Sequence, residues 1–313
     1  MSNYLDLTRS KNVPFMRDIL IDSIYEEAKK NKNIFFLTPD MGAPSLDKFR
    51  KNLPNQFIHC GICEQHMISM SAGLSLMGKK VFCYAMAPFI TSRCYEQIKC
   101  SIAAMEQNVN LIGIGVGLGY ADAGPTHYTT EDISIMRVFP NIEILTPSDE
   151  VSAKFITKYS IEKNKFTFIR LDRDALPIIY NSKTKFNLEL GFNEIFLGEE
   201  VCVISNGYLL NKIHKILLET KKKIGLIDLF KVKPLNKKLI DTLAKYKKII
   251  IIEEQWLSGG IGSLVMEFMN DNKLNKKIIR HGLREKFFFE NGGRDYLHRN
   301  YGLDLKKIIS AIN

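Results

Sequence analysis

Residues 60–75 read CGICEQHMISMSAGLS. An apolar strand ends near Cys60 and gives way at Glu64 to a helix rich in small residues, predicted to run to Met77 and stop at Gly78, whose freedom at positive φ suits a helix end. The same strand-then-helix grammar spreads outward on both sides. Before it lie a helix over 15–30 and a strand over 34–37. After it come strand 81–84, helix 91–105, strand 109–115, a long glycine-containing loop, helix 131–138, strand 142–145, helix 149–159 and strand 166–171. Short runs rich in Ile, Val and Phe alternating with amphipathic stretches are the pattern of a parallel sheet covered by helices.

The rhythm breaks near residue 176 and restarts with strand 201–205. A turn at Asn206-Gly207 follows, then a helix to 220, strand 223–226, helix 236–246, strand 248–252, helix 260–269 and a last strand near Ile278. A chain of 313 residues exceeds one ordinary small domain. The expectation is an α/β protein of two consecutive parallel-sheet, three-layer domains, over 1–178 and 193–313, joined by a linker over 179–192.

Apolar and charged fractions of 45% and 25% are those of a soluble globular protein. The net charge of +10 comes from scattered lysines rather than a basic stripe interleaved with aromatics, which argues against nucleic acid and leaves an anionic substrate or cofactor compatible. Cysteines 60, 63, 83, 94, 100 and 202 form no disulfide framework. Cys60 and Cys63 have CxxC spacing, but no second pair follows and small apolar residues surround them, so buried free thiols are expected rather than zinc or redox chemistry. Free thiols, no apolar leader core and no membrane-length run point to a cytoplasmic protein.

Gly113, Gly115, Gly117 and Gly119 are spaced wrongly for a dinucleotide fingerprint, and no Walker loop or G-x-S-x-G elbow occurs. Those glycines read instead as a strand end feeding a loop where backbone can approach a ligand closely. Glu64 has two readings. It is a first-turn carboxylate favoured by the helix dipole, or an acid at an interface cleft that needs a specific donor. His127, in Gly124-Pro125-Thr126-His127, ends a loop after a strand, where open parallel sheets place their sites. Phe89 and Tyr95 fit either core packing or a ligand platform.

Taken together, Asp40-Met41-Gly42-Ala43-Pro44-Ser45, Gly61-Ile62-Cys63-Glu64-Gln65, Ala87-Pro88-Phe89, Gly124-Pro125-Thr126-His127 and residues 169–173 resemble, in order, the transketolase family of thiamine-diphosphate enzymes. The likeness spans the family's pyrimidine-binding and C-terminal domains, and Gly292 to Leu297 is similar to the tail of split transketolases. It implies that Glu64 hydrogen-bonds N1′ of the cofactor's aminopyrimidine, from a carboxyl held in an apolar pocket where it can share a proton with that nitrogen. It further implies that Phe89 stacks on the pyrimidine with Tyr95 completing the wall, and that Asp40 lies beside the cofactor. His127 would contact the sugar oxygen, and Ser45 and Arg173 would hold the substrate's phosphate. Arg93 stands where some relatives place a substrate-facing arginine.

The family binds the diphosphate and its Mg2+ through Gly-Asp-Gly and a downstream asparagine, and no Gly-Asp-Gly occurs here. The resemblance therefore implies a partner subunit carrying that motif, an α2β2 assembly and no metal ligand in this chain. Ala123 stands where many full-length members have an aspartate, with Asp122 one step away, so the donor need not be the ordinary pentose phosphate. Ketol transfer between a ketose and an aldose is the expected reaction. The β subunit of a 2-oxoacid dehydrogenase E1 component shares the plan, but the GPTH pattern argues for the transketolase side. A synthase joining pyruvate to an aldehyde phosphate and a non-catalytic subunit of a sugar-pathway complex are the other readings.

Overall fold

The computed structural model describes residues 14–181, 184 and 186–312. The expectations that rest on residues 1–13, and on 182, 183 and 185 of the linker, lie outside the described residues. Among the described residues there are twelve strands: β1 Ile34–Thr38, β2 Phe57–His59, β3 Lys80–Met86, β4 Val109–Ile114, β5 Ile142–Leu145, β6 Phe166–Leu171, β7 Asn193–Phe196, β8 Val201–Ser205, β9 Gly225–Asp228, β10 Lys231–Lys233, β11 Lys248–Trp256 and β12 Lys277–Leu283. They form two sheets, ordered β10-β5-β6-β4-β3-β1-β2 and β12-β11-β8-β9-β7.

Both sheets are parallel except at one strand each. β10 pairs antiparallel with β5, and β7 pairs antiparallel with β9. The sequence pattern predicts neither of these strands, because Lys231-Val232-Lys233 and the half-buried Asn193–Phe196 have no apolar run. Short, charged segments of this kind are how sheet edges are protected. β10 follows the second sheet's β9 in the chain yet closes the edge of the first, so the two halves interlock.

β4, β5 and β6 are buried at every position, as strands covered on both faces must be. Successive residues face opposite sides. Phe36, Phe82, Ile112 and Ile169 join the helices Met16–Lys30 and Glu150–Glu162 in one core. Leu37, Cys83, Leu111 and Phe168 join Met67, Ile68 and Ala72 of helix Glu64–Leu76 in another. Asp149 caps helix Glu150–Glu162 by accepting from Ser152 N–H at 2.8 Å, and its second oxygen accepts from the N–H groups of Ile179 and Tyr180, both at 2.9 Å. One carboxylate thus fixes both a helix start and the chain leaving the first sheet.

The single helix predicted over 91–105 is broken. The chain turns helical directly after β3, at Ala87–Ile90, passes through a 3₁₀ turn at Ser92–Cys94, and ends in a π-helical stretch at Ile98–Ala103. The hydroxyls of Thr91 and Ser92 donate back to the carbonyls of Ala87 and Pro88, at 2.6 and 2.9 Å, and Thr91 leaves helical geometry (φ −107°, ψ −86°). Among the described residues no helix is long and apolar enough to cross a membrane. All six cysteines are free, but of the expected buried pair Cys60 is only half-buried and Cys63 is exposed, at the cap before helix Glu64–Leu76.

Candidate active site

The loops that follow β2, β1, β3 and β4, neighbours in the first sheet, leave it at one end, and each carries expected site residues. Asp40 follows β1, Glu64 follows β2, Phe89 and Arg93 follow β3, and His127 follows β4. Four of these meet. Glu64 is buried, its side chain only 4% exposed, and accepts from Arg93 Nη1 at 2.8 Å. The Arg93 guanidinium carbon lies 3.9 Å from the centre of the Phe89 ring. The Phe89 ring in turn meets His127 edge-on, with centroids 5.3 Å apart. Thr126 Oγ1 lies 2.8 Å from His127 Nδ1 and steadies the imidazole.

The remaining expected residues make other contacts. Tyr95 packs its ring on Phe139, at 4.9 Å, so it faces the core and not Phe89. Six residues on from Phe89, Tyr95 would not share its face even in an unbroken helix, whose same-face neighbours are three and four residues apart. Asp40 is exposed and stands 3.5 Å from His59. Ser45 is buried with its hydroxyl donating to Asp18 at 2.8 Å, and Asp18 is held by Arg17 at 2.9 and 3.1 Å. Arg173 pairs with Asp122 at 2.6 Å and covers the Tyr120 ring at 4.7 Å. Burial pushes the Tyr120 hydroxyl up, with the charges of Arg173 and Arg17 pulling the other way. No sequence signal marks Arg17, because it looks like any exposed helix-start arginine.

The glycine-rich loop after β4 does make close approaches, but to protein. A Cβ on Gly115 would lie 2.0 Å from the Tyr120 ring, and one on Gly117 would lie 2.0 Å from the Glu254 carboxylate. Both glycines hold positive φ, 79° and 60°. Glu254 sits on β11, so this loop is shaped by the second sheet. The loop carrying His127 is fastened to the same half. Tyr128 Oη accepts from Phe288 N–H at 2.7 Å, and Trp256 N–H donates to the Thr130 carbonyl at 3.1 Å. Arg294, within the tail segment that resembles split transketolases, joins Glu254 and His298, which no local sequence pattern marks, in the buried polar joint behind it. Among the described residues no group of three or more His, Cys, Asp or Glu is placed to hold a metal ion.

A buried carboxylate, an aromatic ring and a histidine thus lie close together at the ends of parallel strands. The transketolase pyrimidine-binding domain matches residues 14–178, and the transketolase C-terminal domain matches residues 195–308. The chain belongs to the transketolase family. It is 30% identical over 305 residues to one of the subunits of an apulose-4-phosphate transketolase from Phocaeicola vulgatus, covering 96% of each chain. It is 31% identical to a 1-deoxy-D-xylulose-5-phosphate synthase from Cytophaga hutchinsonii, covering 96% of this chain and 48% of that one. Among solved structures it is similar to a split gene transketolase described as an inactive β4 tetramer. That match has a TM-score of 0.81 and 25% identity, covering 96% of this chain and 97% of the other.

Proposed function

We propose that this chain is the C-terminal subunit of a split transketolase, which moves a two-carbon ketol unit from a ketose to an aldose and works only with a partner that binds the diphosphate and Mg2+. The observation that carries the reading is the convergence of Glu64, Phe89 and His127 at one end of the first sheet. The donor set fits the aminopyrimidine half of thiamine diphosphate: a buried carboxylate for a ring nitrogen and an aromatic face for the ring.

When bound, the cofactor supplies a nucleophilic thiazolium carbon. The protein's own contribution is to hold and orient. Glu64 keeps a proton shared at N1′, Phe89 fixes the ring plane and Asp40 borders the cofactor. His127, braced by Thr126, offers its imidazole to a sugar oxygen. Arg173, lying over Tyr120, supports a phosphate-bearing substrate, in keeping with the phosphorylated sugar named for the Phocaeicola relative. Ser45 is a weaker phosphate contact than its position suggests, because its hydroxyl is committed to Asp18. Assembly as α2β2 in the reducing cytoplasm is part of the proposal, consistent with six free thiols.

The likeness to the synthase supports one second reading, in which pyruvate is the two-carbon donor. Co-purification with the product of a neighbouring gene carrying Gly-Asp-Gly, followed by a donor screen, separates the two. Turnover of ketose phosphates with an aldose acceptor is expected. Turnover of pyruvate alone selects the synthase reading, and full activity of this chain without a partner rejects the split enzyme.

A further inference from the structure

The Glu64–Arg93–Phe89 contacts have a shape that the proposed chemistry does not require. We infer that Arg93 is a built-in occupant of the aminopyrimidine seat, which the cofactor must displace, so that its ion pair with Glu64 sets how tightly thiamine diphosphate binds. The inference rests on the thiamine reading proposed above.

A seated aminopyrimidine demands two things: a hydrogen bond to the Glu64 carboxylate and a flat contact with the Phe89 ring. Arg93 already makes both kinds of contact, donating to Glu64 Oε2 at 2.8 Å and placing its guanidinium 3.9 Å from the Phe89 centroid. A guanidinium is a planar group of N–H donors that stacks on aromatic faces, so it reproduces what a planar, N–H-bearing heterocycle would offer. The two ligands compete for the same two groups.

Exposure shows which partner can leave. Glu64 is 4% exposed and fixed in the first turn of its helix, whereas Arg93 is 40% exposed on a long, flexible stem. Arg93 can swing its charge into water at little cost, while a buried carboxylate left without a donor is expensive. The backbone is arranged for this. The hydroxyls of Thr91 and Ser92 interrupt the helix after Ile90, and the resulting 3₁₀ turn carries Arg93 over Phe89, four residues earlier in sequence. Arg93 therefore satisfies Glu64 without sealing the site. A purely stabilising partner makes the opposite prediction, because its removal would strip Glu64 of support and weaken cofactor binding.

The test is thiamine diphosphate affinity of the cofactor-stripped complex with the diphosphate-binding subunit, in Mg2+, by isothermal titration calorimetry. Arg93→Ala is expected to lower Kd about tenfold, the equivalent of one charged hydrogen bond no longer competing. Arg93→Lys, which keeps the charge but loses the planar fork, is expected to fall between Arg93→Ala and wild type. A Kd for Arg93→Ala that is unchanged or higher overturns the inference. The full chain alone, titrated with 4-amino-5-hydroxymethyl-2-methylpyrimidine, is expected to give the same order of affinities, and a reversed order overturns it independently of the partner. If the wild-type complex binds no thiamine diphosphate, the thiamine reading fails and this inference falls with it. Circular dichroism of each variant separates altered binding from lost fold.

Discussion

Arg294 grips Glu254 with two N–H donors, at 2.7 and 2.5 Å, and its other N–H groups hold Asp172 at 3.0 and 2.7 Å. Asp172 follows the last strand of the first domain and Glu254 lies on the second sheet, so one guanidinium ties the two halves behind the site. Its plane rests on Tyr208 at 3.5 Å, and His298 Nε2 reaches the same Glu254 at 2.5 Å. Burial by itself would push the Glu254 carboxyl up, but Arg294 and His298 override it and hold the group down at about 2.

Arg294→Ala leaves Asp172 buried without its cation and Glu254 with His298 alone, and losing one partner of a buried pair costs about 3–5 kcal/mol. Urea unfolding of the variant is expected to show that loss and to split into two transitions, one per domain. A single transition with a loss below about 1 kcal/mol would show that the domains are held by other contacts.

Gly117→Ala is expected to destabilise the protein by about 1–3 kcal/mol, because it combines a left-handed φ with a Cβ driven into Glu254. Thermal melting reads this directly. The variant should also weaken sugar turnover, since the loop from Gly115 leads to His127. A melting point equal to wild type would mean that Glu254 and the loop move apart freely.

Asp228 supplies a pH signature at the same junction. Burial pushes its carboxyl up to about 7, against the pull of hydrogen bonds from Tyr180 at 2.7 Å and Ser148 at 3.0 Å. The native state then binds a proton that the unfolded chain has released. The stabilisation is therefore complete at pH below the unfolded value of 3.8 and is lost as pH rises toward 7. Asp228→Asn is expected to flatten the fall in stability between about pH 4 and 7 by up to about 4 kcal/mol. Parallel pH profiles for variant and wild type would remove Asp228 as the cause.

His127→Ala should raise KM or lower kcat for the sugar substrates while leaving thiamine diphosphate affinity within about twofold, a loss of less than about 0.5 kcal/mol. Equal losses in both would make His127 a cofactor contact or a structural partner of Phe89.

The fold is legible in the sequence where burial leaves a local trace. Ile142–Leu145, Phe166–Leu171 and Val201–Ser205 are continuous apolar runs, and their observed bounds are those read from the sequence. Lys231–Lys233 leaves no such trace, because a charged edge strand pairs through its backbone alone. The break at Thr91 is hidden because it depends on hydroxyl geometry rather than on hydrophobic period. At the site, residue type and position mark Glu64 and His127 as candidates, the family resemblance adds Phe89 and Arg93, and the structure clusters all four. No local pattern could show that Arg93 meets Glu64, or that Arg294, Glu254 and Asp172 share one joint across long stretches of chain.

The central claim is that Glu64 acts on a cofactor whose other end is held by a second chain. Its most direct test is ketol transfer by the reconstituted complex, with thiamine diphosphate and Mg2+, for wild type and Glu64→Gln at equal folded concentration. Glu64→Gln is expected to lower kcat by roughly 10²–10⁴-fold, with neither chain active alone. Retention of most activity by Glu64→Gln, or turnover by this chain without its partner, would contradict the account.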